Sequence, residues 1–347
     1  MALPQRVVSL TQDKIVPKVV ETLLNSNVFA TRMLANAKPW SGEQMKFPVK
    51  VTAGVAGTSF SGMDTFSTTT SNRRDTLAYP PKFYEKQIVL PASEIDVNDT
   101  DAKVLDLLAI ESGTAAMEMA DEIGTIFYST GAGNGNKDFL GLDAIADDAT
   151  NVTTIGGLSR TTYTSLKGTV TASSGTLSLA KLRTLYNAVA SGSVRPTAGF
   201  TTEANFGYYE QLLQPMLRIN VDSMKRSVNG LRGGDSSFAT EFKFTGLDYQ
   251  GFPILADEKA TTNALYFINE DFVEWRAIKA KASNPVNFSF NDIEGTDYTS
   301  VKGLGFSWTG WIRPTNAYAY IGHIILGGEL VGTNFKRCGQ LTGITGI

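Results

Sequence analysis

A long amphipathic stretch sets the first limit on what this chain can fold into. Asn98-Asp99-Thr100-Asp101 offers capping side chains and negative charge suited to a helix N-terminus. Apolar residues then recur at helical spacing through Val104, Leu105, Leu108, Ile110, Ala115, Met119, Ile123, Ile126 and Phe127. The pattern ends at Gly131-Ala132-Gly133-Asn134-Gly135-Asn136. The helix predicted within 100–130 runs for roughly 28 residues, about 42 Å at about 1.5 Å per residue. That is more than twice the ordinary helix of about 11–12 residues. The chain as a whole is rich in Thr, 38 in all, and Thr favours strands. A lone long helix among strands spans one edge of an elongated domain.

Two alternating segments precede it, Met45–Val51 and Phe83–Leu90, and both read as strands. Between them, 53–80 is rich in Gly, Ser and Thr and has little material for a core of its own. Strand, long polar tip and returning strand make an extended β-hairpin. A tip this long with few apolar residues cannot hold itself down, so it needs a partner surface elsewhere. Arg73-Arg74-Asp75 lies in this predicted tip and suggests salt bridges between subunits. Phe60 and Phe66 in the same tract are further candidates for intersubunit contact.

The rarest residues exclude the most chemistry. One Cys, Cys338, allows no intrachain disulfide and no cysteine zinc site. One His, His323, excludes a His-x-x-x-His metalloprotease and leaves any Ser-His-Asp or Cys-His enzyme a single choice. A net charge of -3 lacks the strongly basic face of a dedicated nucleic-acid binder. No apolar run reaches the roughly 20 residues of a membrane span. The first residues do not read as a secretory signal, which makes the cytoplasm the default address.

The rest of the chain is mixed. Residues 10–36 read as helical with a break at Asn25-Ser26-Asn27 and a short second helix over Val28–Leu34. Within 1–50, seven Lys/Arg face three Asp/Glu, a modest basic arm. Residues 139–175 read as turns and short strands, Leu179–Ala190 and 203–213 as helices, and Phe200-Thr201-Thr202, 251–255 and 264–268 as strands. Residues 220–239 read as a Gly-rich loop. Val286–Phe290, Gly305–Pro314 and Ala317–Leu326 read as strands, and Gly332–Ile347 as a polar tail. No repeat of 20–50 residues is present.

No constellation of catalytic groups emerges. Gly131-Ala132-Gly133-Asn134-Gly135 superficially resembles a phosphate-cradling loop. It follows a helix instead of opening one and lacks Lys-Ser/Thr, so it reads as a helix cap and connection. His323 has no nominated nucleophile or orienting acid and reads as a packed or surface residue. Glu94 and Asp96 alternate on one predicted strand face, and Asp147-Asp148 sit in a predicted turn. Such pairs can do acid–base work or bind a hard cation, but no calcium-loop motif accompanies them. Trp275, Phe306, Trp308 and Trp311 read as β core. No cofactor and no metal site is expected.

The order of these elements carries a resemblance. Ile15-Val16-Pro17-Lys18-Val19-Val20 with Asn25-Ser26-Asn27-Val28, the tract 53–87, the helix 100–130 and Asp138-Phe139-Leu140-Gly141-Leu142 follow one another as an arm, an extended loop and a spine helix. Gly251-Phe252-Pro253-Ile254-Leu255 resembles a closing strand. The chain is similar in this order to the major capsid proteins of tailed double-stranded DNA bacteriophages, the Hong Kong 97 fold family. The resemblance implies an α+β fold with an N-terminal arm (1–52), an extended loop (53–87) and a peripheral domain (88–175). An axial domain (176–268) and a return of long strands to the peripheral domain with a C-terminal tail (269–347) complete it.

It further implies a structural protein, not an enzyme. Copies of the chain would form hexamers and pentamers that close into an icosahedral shell around packaged double-stranded DNA, bound without sequence preference. A portal, and separate scaffolding or decoration proteins, would be partners, with no membrane involved. Its place would be the virion, assembled in the bacterial host cytoplasm. Arg232, Gly233, Gly234 and Asp235 would lie in the loop near the axis. Lys14, Lys18, Arg32 and Lys38 of the basic arm would face DNA. Met1 favours a separate scaffold or none. Some relatives crosslink through a Lys on the extended loop. The stretch 51–81 has no Lys, so a non-covalent shell is expected.

The nearest rival is an encapsulin-like compartment shell, with the same fold around protein cargo. A secreted β-rich adhesin would account for the Thr and Gly content but not for the spine helix. A carboxylate-based hydrolase would require a pocket joining distant acids.

Overall fold

The computed structural model describes residues 27–40, 42–98, 107–213, 246–278, 288–291, 297–301, 306–309 and 311–347. The N-terminal part contributes helix α1 (Val28–Ala35), then strands β1 (Lys38–Pro39), β2 (Met45–Lys50), β3 (Arg74–Tyr79) and β4 (Lys82–Pro91). Helices α2 (Ala92–Asn98), α3 (Leu107–Ile126) and α4 (Leu142–Ile145) follow, then β5 (Thr154–Ile155), β6 (Leu158–Ser159) and β7 (Thr169–Thr176). Next come α5 (Leu179–Val189), β8 (Ala198–Thr201) and α6 (Glu203–Leu213). The remaining strands are β9 (Gly246–Tyr249), β10 (Phe252–Ala256), β11 (Leu265–Ile268), β12 (Val273–Ala277), β13 (Phe288–Asn291), β14 (Asp297–Val301), β15 (Phe306–Trp308), β16 (Ala319–Gly332) and β17 (Gly339–Gly346).

Two sheets organise the chain. In the first, the 14-residue β16 is central. It pairs antiparallel with β4 along one edge, from Ala319 opposite Pro91 to Gly328 opposite Lys82. Its other edge takes β12 and β15, and β1 pairs parallel with β12. The spine helix α3 lies against β4, where Glu122 accepts from Tyr84 Oη and pairs with Lys86. The core under this sheet is aromatic. Trp275 is fully buried, its ring centroid 5.0 Å from those of Phe127 and Phe139. Phe29 of α1 packs on Phe127, Tyr128 and Phe200. Trp275→Ala should cost about 3–5 kcal/mol, because the surrounding strands and helix cannot collapse into the space. Urea denaturation followed by Trp fluorescence and circular dichroism would measure it.

The second sheet has six strands in the order β7-β17-β11-β8-β10-β9. Helix α5 covers it with Leu182, Leu185 and Val189 buried. Ser178 caps that helix by accepting from the Lys181 backbone amide. At Gly339 a Cβ would lie 2.7 Å from Val189 and 2.9 Å from Leu185, so only Gly lets the helix sit this close. This sheet recruits β7 and β17 from outside residues 176–268. Residues 332–347, expected to be a polar tail, thus supply an interior strand between β7 and β11. The small polar residues that suggested a tail are those that fit a tightly covered strand.

Three other expectations are corrected. The partner of β2 is β3, with Met45 opposite Tyr79 and Lys50 opposite Arg74, and not the segment 83–90. Pro80-Pro81 follows β3 at once and supplies no backbone donors, so the ladder stops there and β4 turns to β16. Arg73-Arg74-Asp75 is accordingly at the base of the hairpin and not at its tip. Glu94 and Asp96 lie on helix α2, not on a strand. Ala92 and Ile95, three apart, point inward while both acids are exposed. The spine helix ends at Ile126, where the Tyr128 and Ser129 amides bond three residues back and tighten the last turn. Gly131, at φ +76, then reverses the chain. The helical turn expected before residue 27 lies outside the described residues.

Candidate functional site

The hairpin β2–β3 carries between its strands a loop that leaves the body of the protein. Residues 52–73 form no helix or strand, and all but Gly54 are exposed. Its large apolar side chains are bare: Phe60 is 64% exposed, Met63 100% and Phe66 71%. Among the described aromatics, Phe60 and Phe66 touch one another, edge to face at 5.0 Å. The Ser61 amide donates to Asp64, and Ser67 and Thr69 bond each other. These contacts stay within the tip. A paired Phe60 and Phe66 with a bare Met63 between them, away from the body of the subunit, read as an interaction surface, since a chain that only needed a linker would keep these positions polar.

The base of the loop is fixed. The Val51 amide donates to the Arg73 carbonyl at 3.0 Å, and Thr52 Oγ1 to the Asn72 carbonyl at 2.9 Å. The Arg73 guanidinium lies over Gly54, where a Cβ would come within 2.2 Å of it. Behind the hairpin sits the segment 147–166. Tyr163 Oη donates to Asp75 at 3.0 Å, Ser165 Oγ to the Val51 carbonyl at 2.7 Å, and the Ala78 amide to the Gly156 carbonyl at 2.9 Å. The bond to the Asp75 carboxylate raises the Tyr163 phenol above its usual range.

One face of the hairpin is cationic. Lys46, Lys50 and Arg74 are exposed on it, and Lys50 stands opposite Arg74. Like charges placed so are unfavourable within one subunit. Among the described residues none of these three, nor Arg73, forms an ion pair within the chain. Arg32 and Lys38 differ. Arg32 makes a two-pronged bond to Glu270, at 2.7 and 2.8 Å, and Lys38 pairs with Glu274. Lys14, Lys18, Arg232, Gly233, Gly234 and Asp235 lie outside the described residues.

Two buried charge pairs were not anticipated from the sequence. Asp147 and Arg160 are both fully buried, 3.6 Å apart. Asp147 accepts from the amides of Ala149, Asn151 and Val152, and Arg160 donates to the carbonyls of Ile145, Val152 and Leu166. The Asp147-Asp148 turn is thus an internal anchor and not a solvated one. The second pair joins Lys82, the first residue of β4, to Glu329 of β16 at 3.2 Å. Burial pushes the Glu329 carboxyl up to about 7, with Lys82 opposing that shift. No local motif distinguishes these residues from solvated charges; their partners are distant in sequence or follow from the turn geometry.

His323 sits half-exposed on β16, its Nδ1 2.7 Å from Glu85 Oε1 on β4. The His323 backbone amide donates to Thr309 Oγ1 at 3.0 Å. Among the described residues no group of three or more His, Cys, Asp or Glu could hold a metal ion, and no helix is long and apolar enough to cross a membrane. Cys338 is buried, and burial pushes its thiol up to about 12. What the arrangement offers is an anchored arm with an apolar tip and a cationic base.

By sequence the chain matches no protein-family model and no curated protein. Its fold does match solved structures. The capsid asymmetric unit of cyanophage A-1(L) superposes with a TM-score of 0.74 at 15% identity, over 99% of this chain and 100% of that one. The capsid of a native GTA particle gives 0.61 at 13% identity, over 99% and 100%. A holo-SrpI encapsulin complex from Synechococcus elongatus gives 0.58 at 10% identity, over 99% and 96%. The chain therefore has the α+β Hong Kong 97-type fold of such shell subunits.

Proposed function

We propose that the chain is the major capsid protein of a tailed double-stranded DNA bacteriophage. The observation that carries this reading is the extended loop, whose Phe60, Met63 and Phe66 are exposed among the described residues although its base is firmly held. On a fold common to shell subunits, such an arm lies across the next copy. Many modest overlaps of this kind sum over a closed shell, and none needs to be strong alone. The cationic base, Arg73 and Arg74 included, gives the arm a charged contact to a neighbouring subunit beside its apolar one. No catalytic role is ascribed to any residue.

In this reading the first sheet with the spine helix forms the peripheral domain and the six-stranded sheet the axial domain. Hexamers and pentamers would close around packaged DNA in a virion assembled in the host cytoplasm. Portal and scaffolding or decoration proteins would be further partners. Arg32 and Lys38 could meet phosphate only by sharing charge with Glu270 and Glu274, so Lys14 and Lys18 are the principal candidates for the DNA-facing side. The likeness to the encapsulin subunit favours one second reading, a compartment shell around protein cargo.

Electron microscopy and light scattering of the purified protein, alone and with a co-expressed scaffold, test the proposal. Closed shells or ring-shaped capsomers are expected. A 37.4 kDa monomer under every condition would overturn it. Double-stranded DNA inside particles recovered from infected cells separates a virion from a compartment. The same particles, boiled in detergent, should run as one band, because no Lys lies between Val51 and Pro81 to crosslink the loop.

A further inference from the structure

We propose that Arg160 is a positioning residue for the extended loop, acting through the segment 147–166 as a bracket between the body and the hairpin. The inference rests on the shell reading for its functional meaning, but its geometry stands on its own. At the inner end of the bracket, Arg160 is fully buried, 3.6 Å from Asp147, with its guanidinium 5.0 Å from the Phe335 ring centroid. It draws the carbonyls of Ile145, Val152 and Leu166 together, so three separate turns converge on one planar group. At the outer end, Tyr163 and Ser165 grip Asp75 and Val51, the residues on either strand where the loop departs. Gly156 adds the bond to Ala78 and lies so close to Leu77 that a Cβ there would come within 2.8 Å.

A two-stranded hairpin is marginal by itself and can swing at its root. Here both strands are held from behind by one segment, and that segment is itself held by the buried Arg160 together with Asp147. The direction of the loop is therefore set from Arg160. Direction matters for a shell, because an arm that leaves at the wrong angle misses the neighbouring copy even when the arm is intact. Replacing Arg160 by Lys would retain the charge but not the fork that bonds several carbonyls at once.

The decisive variant is Tyr163→Phe with Ser165→Ala, which cuts the bracket from the hairpin and leaves the buried Asp147–Arg160 pair untouched. Hydrogen exchange on the subunit should show the Ala78 amide exchanging roughly tenfold faster or more, as expected for loss of one or two hydrogen bonds, with a melting temperature lowered by only about 2–6 °C. Assembly followed by light scattering should fall in parallel or give particles of altered size. Unchanged exchange overturns the proposal. Faster exchange with shells of normal yield and size also overturns it, since the loop's direction would then not matter. Arg160→Met should reproduce both effects; if it does not fold, Arg160→Lys, which keeps the buried charge but not the fork to three carbonyls, should reproduce them, and a folded Arg160 variant with normal exchange and normal shells overturns the role of Arg160. If the wild type forms no shells at all, the shell reading fails, while the exchange measurement still reports on the bracket.

Discussion

Replacing residues 54–70 by Asn-Gly, which joins Ala53 directly to the turn and the turn to Ser71 in the register of the hairpin, should leave a stable subunit that forms no shells. The tip contributes nothing visible to the body: its hydrogen bonds and its Phe60–Phe66 contact are internal. Removing exposed residues of this kind changes stability by no more than about 0.5 kcal/mol. The shorter connection also costs less entropy to close, and Asn-Gly suits a two-residue hairpin turn. The melting temperature should stay within about 2 °C of the wild type. Light scattering should instead show the variant as free subunits or small rings at concentrations where the wild type forms particles. Shells of normal size would mean that the tip is decoration. A large drop in melting temperature would mean that it covers part of its own subunit.

The contrast between tip and base explains how much of this molecule was legible in its sequence. Local pattern was sufficient where an element is built from its own residues. The periodicity of α5 gave its extent to within one residue, and α6 lies where its pattern put it, over 203–213. The spine helix was visible because its apolar stripe repeats over many turns. Pattern was insufficient where the partner is distant. Both Met45–Val51 and Phe83–Leu90 alternate, and alternation cannot say that the first pairs with β3 and the second with β16. Pro80-Pro81 was the available signal that the hairpin closes earlier. Gly339 is required because helix α5 presses on it, while Leu341 and Ile344 are buried in the sheet, and composition alone cannot tell such a strand from a loose tail. Of the candidate surface, the loop was legible from its lack of core material. The bracket was not, because Arg160 and Asp147 are ordinary charged residues until the chain folds them against each other.

Lys82→Met should destabilise the subunit strongly, and by an amount that grows with pH. Lys82 is the nearest positive charge to Glu329, at 3.2 Å, and it also bonds the Asp138 carbonyl after the spine helix. Glu329 Oε1 accepts from the Leu140 amide at 2.7 Å and from Leu330 at 3.1 Å. Burial raises this carboxyl from 4.5 to about 7 in the folded subunit even with Lys82 present. A raised carboxyl binds its proton more tightly folded than unfolded. Its contribution is therefore neutral below about 4.5, becomes increasingly unfavourable as pH rises to about 7, and is constant above that. Without Lys82 the folded carboxyl rises further, so the unfavourable range extends to higher pH. Below pH 5 the variant should lose only the hydrogen bond to Asp138, about 1 kcal/mol. Above pH 8 it must either bury an unpaired carboxylate or hold a proton against solution, at about 3–5 kcal/mol. Urea denaturation at pH 5 and pH 8.5 measures the difference. Adding Glu329→Gln to Lys82→Met should abolish the pH dependence while keeping the smaller loss. A deficit equal at both pH values would show that Glu329 is not the group responsible. The pair sits where Lys82 follows the hairpin by two prolines, so weakening it loosens β4 between the extended loop and the spine helix.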